Sequence, residues 1–216
     1  MSQPVKGTTE AGQRRESRAR ETRRRIIEAG LQLFLDKGYV NTTVQGIAEA
    51  ALVAPATIYQ AFGTKHAVLA AALDLTIAGD DTPLAVLERD WVNDARQEKN
   101  RARQLRLIVD GASRIAARTA PLKEILRDAA ATEVGARELI HEDHQRRYRT
   151  QEGLVDLLIE HRQLRAGIDR RRAVDTFFAL VNSAMYEHLV TQRGWTLLEW
   201  QTWNADVIER ELFGAV

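Results

Sequence analysis

The sequence predicts an all-α protein with two domains, and three observations carry that prediction. Apolar side chains recur at three- and four-residue spacing along most of the 216 residues, while no alternating pattern of useful length appears. Residues 42–65 hold two short helical patterns joined by a tight turn, the second opened by a proline. Gly79-Asp80-Asp81-Thr82-Pro83 is the clearest break in the chain. Residues 1–75 therefore read as an N-terminal arm and a small domain that carries the two-helix motif, ordered from about residue 17. Residues 76–216 read as a larger helical domain.

Composition narrows the classes. With 44% hydrophobic and 28% charged residues the chain has an ordinary globular make-up. It contains no cysteine, which removes disulfides, thiolate chemistry and Cys-based zinc sites and suits a cytoplasmic location. No apolar run is long enough to span a membrane, and the N-terminus has no secretory apolar core. Net charge is only +1, but residues 1–75 hold 10 Lys/Arg against 7 Asp/Glu, and the remainder 21 against 23. The basic excess lies with the two-helix motif, as phosphate contact requires.

In chain order, residues 1–13 are polar and aperiodic and are expected to be disordered. Seven arginines follow between Arg14 and Arg25, opposed by Glu16 and Glu21. They can form a basic arm along the minor groove, phosphate clamps at the start of a helix, or a salt-bridged solvated face. Arg23 and Arg24 are assigned to the DNA face. A first helix is expected over 17–37, ended by Gly38, with Ile27, Leu31 and Phe34 on one face and small Gly30 where another helix can approach.

Thr42 is a good N-cap and Gln45 completes a capping-box pattern, so a second helix should begin near Thr43, with Val44, Ile47, Ala48 and Ala51 apolar. Pro55 suits the first turn of a third helix running to Phe62. Its inward set is Val53, Ile58 and Phe62, leaving Pro55, Ala56, Thr57, Tyr59 and Gln60 pointing out. Small residues let such a helix enter a major groove about 12 Å wide. Thr57 and Gln60 can read base edges, while Thr42, Thr43, Tyr59 and Lys65 can hold phosphates. A helical hairpin whose polar face meets only water has the same spacing.

The wording of residues 26–69 goes further than their spacing. Ile27, Phe34, Gly38 and Tyr39, then Thr42-Thr43-Val44 and Ile47-Ala48, then Thr57-Ile58-Tyr59, Phe62 and Thr64-Lys65 follow in order without gaps. This stretch resembles the DNA-binding domain of the TetR family of one-component repressors. The resemblance implies a helix-turn-helix head on a helical, ligand-binding, dimerising domain. Two positions depart from the family pattern. Leu52 stands where the family usually has Gly, and Ala54 where it usually has a capping Ser. A positive φ at Leu52 costs roughly 1 kcal/mol or more, and a missing cap about 0.5–2 kcal/mol.

Thr64 should cap a fourth helix to about residue 77. Beyond the break, helices are expected over 84–98, 101–118, a short one opened by Pro121 over 122–131, then 133–162, 170–192 and 197–212. In the last two, Phe177, Phe178, Val181, Met185 and Leu189 fall on one helix, and Trp200, Trp203, Val207, Ile208 and Leu212 on the other. Such stripes suit a core. They also suit a two-fold four-helix interface, for which Phe177, Val181, Met185, Leu189, Trp200, Trp203, Val207 and Ile208 are the candidates. Residues 193–214 look like the final helix of TetR-type regulators, whose last two helices form the homodimer.

Other chemistry is poorly supported. His141-Glu142-Asp143-His144 invites a metal reading, but the zincin spacing needs His where Gln145 stands. With Glu138, Arg146, Arg147 and Arg149 alongside, a solvated charged helix face is expected there. No phosphate loop, G-x-S-x-G or cysteine nucleophile occurs. No metal, cofactor or enzymatic activity is expected. The resemblance implies a small-molecule cavity in the C-terminal helices. Trp91, Ile108, Tyr148, Phe178, Asn182 and Tyr186 are the candidates to line it. The sequence therefore reads as a homodimeric repressor released from a palindromic double-stranded operator by an unidentified ligand. The alternative is a helical small-molecule-binding or enzymatic protein whose helix-turn-helix is degenerate.

Overall fold

The computed structural model describes residues 10–79 and 85–214. The expected disorder of residues 1–13 and the break at 79–83 therefore lie largely outside the described residues. Every regular element among the described residues is helical. They divide into two compact units, Met1–Ala72 and Leu73–Val216.

In the first unit, α1 (Glu10–Asn41) starts earlier than residue 17 and continues past Gly38. The early start follows from a run of good helix formers with Glu and Arg four apart. Glu16 pairs with Arg20 at 3.8 Å, and Arg24 with Glu28 at 2.7 Å. The buried ridge is Ile26, Gly30 and Phe34, one turn apart, with Ile27 and Leu31 only half-buried beside it. Gly30 is where α4 comes close: a Cβ there would lie 2.7 Å from Val68 Cγ1. At Gly38 the backbone leaves the helical region at φ 72, as a glycine end should, and one more turn follows.

The second helix, α2 (Val44–Ala50), is capped by Thr43, whose hydroxyl oxygen accepts from Gly46 N at 3.0 Å. Thr42, expected as the cap, instead donates from Oγ1 to Leu33 O (3.0 Å) and Gly38 O (2.7 Å). It thereby satisfies carbonyls that the bend at Gly38 frees. The end of α2 is a Schellman turn: Val53 N donates to Ala48 O at 3.0 Å and Leu52 N to Glu49 O at 3.2 Å. Leu52 occupies its left-handed position at φ 54. Next comes α3 (Pro55–Phe62), with Pro55 in its first turn, no side-chain cap from Ala54, and Ile58 as its buried anchor. α4 (Lys65–Ala78) begins in the first unit and ends in the second.

In the second unit a 3₁₀ turn (Val86–Glu88) and α5 (Asp90–Gln97) replace the single helix expected over 84–98, separated by extended backbone at Arg89. α6 (Arg101–Ala130) runs straight through Pro121, so the two helices expected there are one. Proline removes one rung of the ladder. Its exposed ring faces away from the packing, while Ala120, Leu122 and Leu126 on either side are buried. α7 (Val134–Ile159) packs along α6, and α10 (Leu197–Phe213) also lies against α6. Ile108, Leu154, Phe177 and Ile208 form the centre of one apolar core from these helices. Gly111 admits the Trp91 indole, which would stand 2.3 Å from a Cβ there.

The helix expected over 170–192 is three pieces. α8 (Arg170–Leu180) ends at non-helical Val181, α9 (Ser183–Tyr186) restarts, and the wider π-type turns of Glu187–Gln192 follow. Asn182 makes the restart possible, its Oδ1 accepting from Ala184 N and Met185 N at 2.9 Å each.

Candidate nucleic-acid interface and candidate ligand cavity

The outer face of α3 is built from a short helix held by its ends. Ile58 anchors its middle. At its C-terminal end Arg23 Nη1 donates to Ala61 O at 2.9 Å, and the guanidinium stacks over the Phe62 ring at 4.1 Å. A cation placed there also complements the negative end of the helix dipole. Lys65 is held similarly, its Nζ donating to Tyr39 O at 2.9 Å and lying 3.9 Å over the Tyr39 ring.

These contacts sort the residues assigned to DNA. Tyr59, Gln60 and Thr43 are exposed, Tyr59 at 57%. Pro55 and Thr57 are half-buried on the same helix, and Ala56 beside them is exposed and small. Thr42 is 1% exposed with its hydroxyl committed inward, so phosphate contact is not available to it. Arg23 and Lys65 serve the framework of the head through the contacts above, and Arg24 pairs with Glu28. Arg14, Arg15, Arg18 and Arg25 are exposed along α1.

The second unit holds a partly open cavity of about 210 Å³ between α6, α7 and the break after α8, with the end of α4 at its edge. Its walls are mostly apolar, from Ile77, Ala112, Ile115, Ala116, Leu154 and Val181. Its charged lining is Asp74, Lys123, Asp143, Arg146 and Arg147. Lys123 Nζ and Asp143 Oδ2 stand 2.9 Å apart, both nearly out of solvent. Burial pulls the Lys123 ammonium below its usual range, with the Asp143 carboxylate opposing it. Arg146 reaches Asp74 at 2.9 Å in a more exposed pair, and burial raises the Asp74 carboxyl against that attraction.

Arg147 is the unusual member. Its Nη1 donates to Phe178 O at 3.1 Å and to Val181 O at 3.5 Å, and its guanidinium lies 3.5 Å over the Phe178 ring. Gln151, one turn on, donates from Nε2 to Val181 O at 3.0 Å. The break at Val181 leaves carbonyls without helical partners, and these two side chains supply them. Burial brings the Arg147 guanidinium down to about 10.

Of the residues expected to line a cavity, Asn182 lines this one, while Tyr148 and Phe178 line a separate open groove with His141, His144, Gln145 and Arg149. Ile108 is fully buried in the core, and Trp91 packs on that core over Gly111. Tyr148 sits edge-on to Phe178 with its hydroxyl on Asp175, and Tyr186 packs edge-on to Trp200. Sequence reasoning misses Lys123, Asp143, Arg147 and Gln151 as lining residues. The signal that could have found three of them is a polar stripe at 143, 147 and 151, one turn apart on α7 between Leu139 and Leu154. The solvated charged face expected there is corrected accordingly: Asp143 is 4% exposed and Arg147 half-buried, because Lys123 and the freed carbonyls face them. His141 lies 2.7 Å from Gln145 and His144 lies edge-on to Phe178. Among the described residues no group of three or more His, Cys, Asp or Glu can hold a metal.

Of the interface candidates, Phe177, Val181, Trp200 and Ile208 are buried within the chain's own core. Met185, Leu189, Trp203 and Val207 are half-exposed, and Leu198, elsewhere on α10, is exposed.

Residues 26–72 match the family model described as bacterial regulatory proteins, tetR family. Over that stretch the head is similar to the tetR family. Its TetR-type sequence is similar to the HTH-type transcriptional regulator TcmR of Streptomyces glaucescens, 43% identical over 74 residues, which are 34% of this chain and 31% of that protein. The chain spans between 31% and 57% of the length of the curated relatives it matches. The fold extends beyond the head. A putative transcriptional regulator of Saccharomonospora viridis, solved with choline, superposes with TM-score 0.65 at 20% identity over 89% of this chain and 98% of that one. FadR of Bacillus subtilis, solved with stearoyl-CoA, gives 0.66 at 19% over the same shares. No helix among the described residues is long and apolar enough to cross a membrane.

Proposed function

We propose that this chain is a sequence-specific DNA-binding regulator, acting as a homodimeric repressor that a small molecule releases from a palindromic operator. The observation that carries it is the TetR-type α2–turn–α3 unit, which forms despite Leu52 and Ala54 and leaves Tyr59, Gln60 and Ala56 exposed. Gln60 and Thr57 read base edges, Ala56 lets the helix sink between the strands, and Thr43, Tyr59 and the exposed arginines of α1 take phosphates. The intact turn and the free outer face of α3 favour this reading over a degenerate motif.

Dimerisation uses α10 and the segment around Met185 and Leu189, where Trp203 and Val207, one turn apart on α10, are half-exposed. Apolar surface of that kind is stabilised by burial against a second copy. The cavity is the effector site. It meets the end of α4, whose first residues belong to the head, so ligand can favour one of two arrangements of that helix. The choline and stearoyl-CoA held by two proteins of this fold support ligand binding by such a domain.

The test is fluorescence anisotropy on generic duplex DNA across a salt series, with sedimentation of the protein alone. The reading expects a dimer whose log affinity falls linearly with log salt, by several phosphates' worth. A monomer, or no DNA affinity at low salt, overturns it.

A further inference from the structure

The cavity's charges do not balance. Its lining carries three cations, Lys123, Arg146 and Arg147, against two carboxylates, Asp74 and Asp143. Arg146 is matched by Asp74 at the more exposed edge. Deeper in, a single carboxylate, Asp143, serves both the Lys123 ammonium and the Arg147 charge. Among the described residues the hydrogen bonds of Arg147 all leave from Nη1, so Nε and Nη2 remain available for an acceptor. A half-buried guanidinium that shares its carboxylate with a lysine is stabilised when an anion completes it, and its fork suits a carboxylate.

A second observation adds a polar requirement. Gln151 is 4% exposed and lines the same cavity; its Nε2 is committed to Val181 O, while its Oε1 has no partner among the described residues. A buried carbonyl oxygen without a donor calls for one from whatever fills the space. The remaining walls are mostly apolar, with Thr119, Thr150, Asn182 and Ser183 among them. Volume sets the scale. About 210 Å³ lies below the usual range of drug-sized pockets.

We infer that the cavity takes a compact organic monoanion: a carboxylate on an apolar, ring-sized body that also carries a hydroxyl donor. The carboxylate lies on the free edge of Arg147, beside Lys123. The body lies against Ala112, Ile115, Ala116 and Leu154, and the hydroxyl donates to Gln151 Oε1. This inference rests on the reading of the cavity as the effector site. A cationic ligand is disfavoured because it would raise the local charge further.

Titration calorimetry on the full-length protein without DNA tests it, using 4-hydroxybenzoate, benzoate, benzyl alcohol and choline. Binding is expected in that order. Arg147→Met keeps the apolar stem and should weaken both acids by about 10- to 100-fold while leaving benzyl alcohol unchanged. Because Arg147 and Gln151 both hold the α8 break, Ala116→Leu serves as the second variant: it fills the cavity from α6, leaves the bonds to Val181 O in place, and should abolish binding of both acids. Gln151→Leu should abolish the preference for 4-hydroxybenzoate over benzoate. Choline or benzyl alcohol binding as tightly as the acids overturns the inference, and so does failure of both acids to bind more tightly than about 1 mM. DNA affinity, measured separately, distinguishes the two failures. Anion binding without DNA binding removes the regulator reading and keeps the site; DNA binding without anion binding does the reverse.

Discussion

The turn between α2 and α3 offers the sharpest quantitative test, because a leucine sits where a glycine belongs. Leu52 has φ 54 and is 83% exposed, while the two Schellman hydrogen bonds around it are intact. A left-handed conformation costs an L-residue about 1–2 kcal/mol. Leu52→Gly removes that strain but returns about 0.4–1 kcal/mol through the freer unfolded chain, and a few tenths through the small buried part of the side chain. The net expectation against the parent protein is a gain of about 0.5 kcal/mol. Comparing Leu52→Gly with Leu52→Ala isolates the strain, since both variants lose the leucine and only one keeps a Cβ. The glycine variant should be the more stable by about 1 kcal/mol, a factor of about five in the local opening equilibrium. Hydrogen exchange of the full-length protein, read on the amides of α2 and α3, measures it. Equal protection in the two variants, or better protection with alanine, would refute the strain argument.

Further expectations concern the same head. Ala54→Ser supplies the missing cap of α3 and should raise exchange protection there by the equivalent of about 0.5–2 kcal/mol; no change would mean that Pro55 alone fixes the helix start. Gln60→Ala should relax base preference at one position of the bound sequence by about 1–3 kcal/mol, read by competition with singly substituted duplexes. A uniform loss on every sequence would instead place Gln60 on phosphate. Lys65→Met removes the bond to Tyr39 O and the ring contact, and should loosen the head by about 1–3 kcal/mol in hydrogen exchange while leaving the salt slope of DNA binding unchanged. A slope reduced by one contact would return Lys65 to the phosphates.

Local signals made the head legible. A hydroxyl cap, a proline in a first turn and glycines at helix ends act within a few residues, so α2, α3 and the bend at Gly38 could be read directly. Thr42 and Thr43 show the limit of that reading. Either could cap α2, and only the carbonyls freed at Gly38, brought near by folding, assign Thr42 inward. In the second unit, tertiary burial overrides local rules. α6 passes Pro121 because the residues flanking it are held in the core, and α8 breaks at Val181 although nothing in its sequence forbids a helix. The cavity was hidden for the same reason. Asp143 and Arg147 look like any surface pair until Lys123 on α6 and the carbonyls of α8 are placed against them.

The central claim is that this chain reads a symmetric DNA site, and selection of bound sequences from a random duplex library tests it most directly. The full-length protein at two salt concentrations should enrich a palindrome whose half-site centres lie one helical turn, about 34–36 Å, or a multiple of it, apart. Enrichment should sharpen at the higher salt as non-specific binding is lost. No enrichment at either salt would contradict the account and leave the helical unit with its charged cavity as the seat of function.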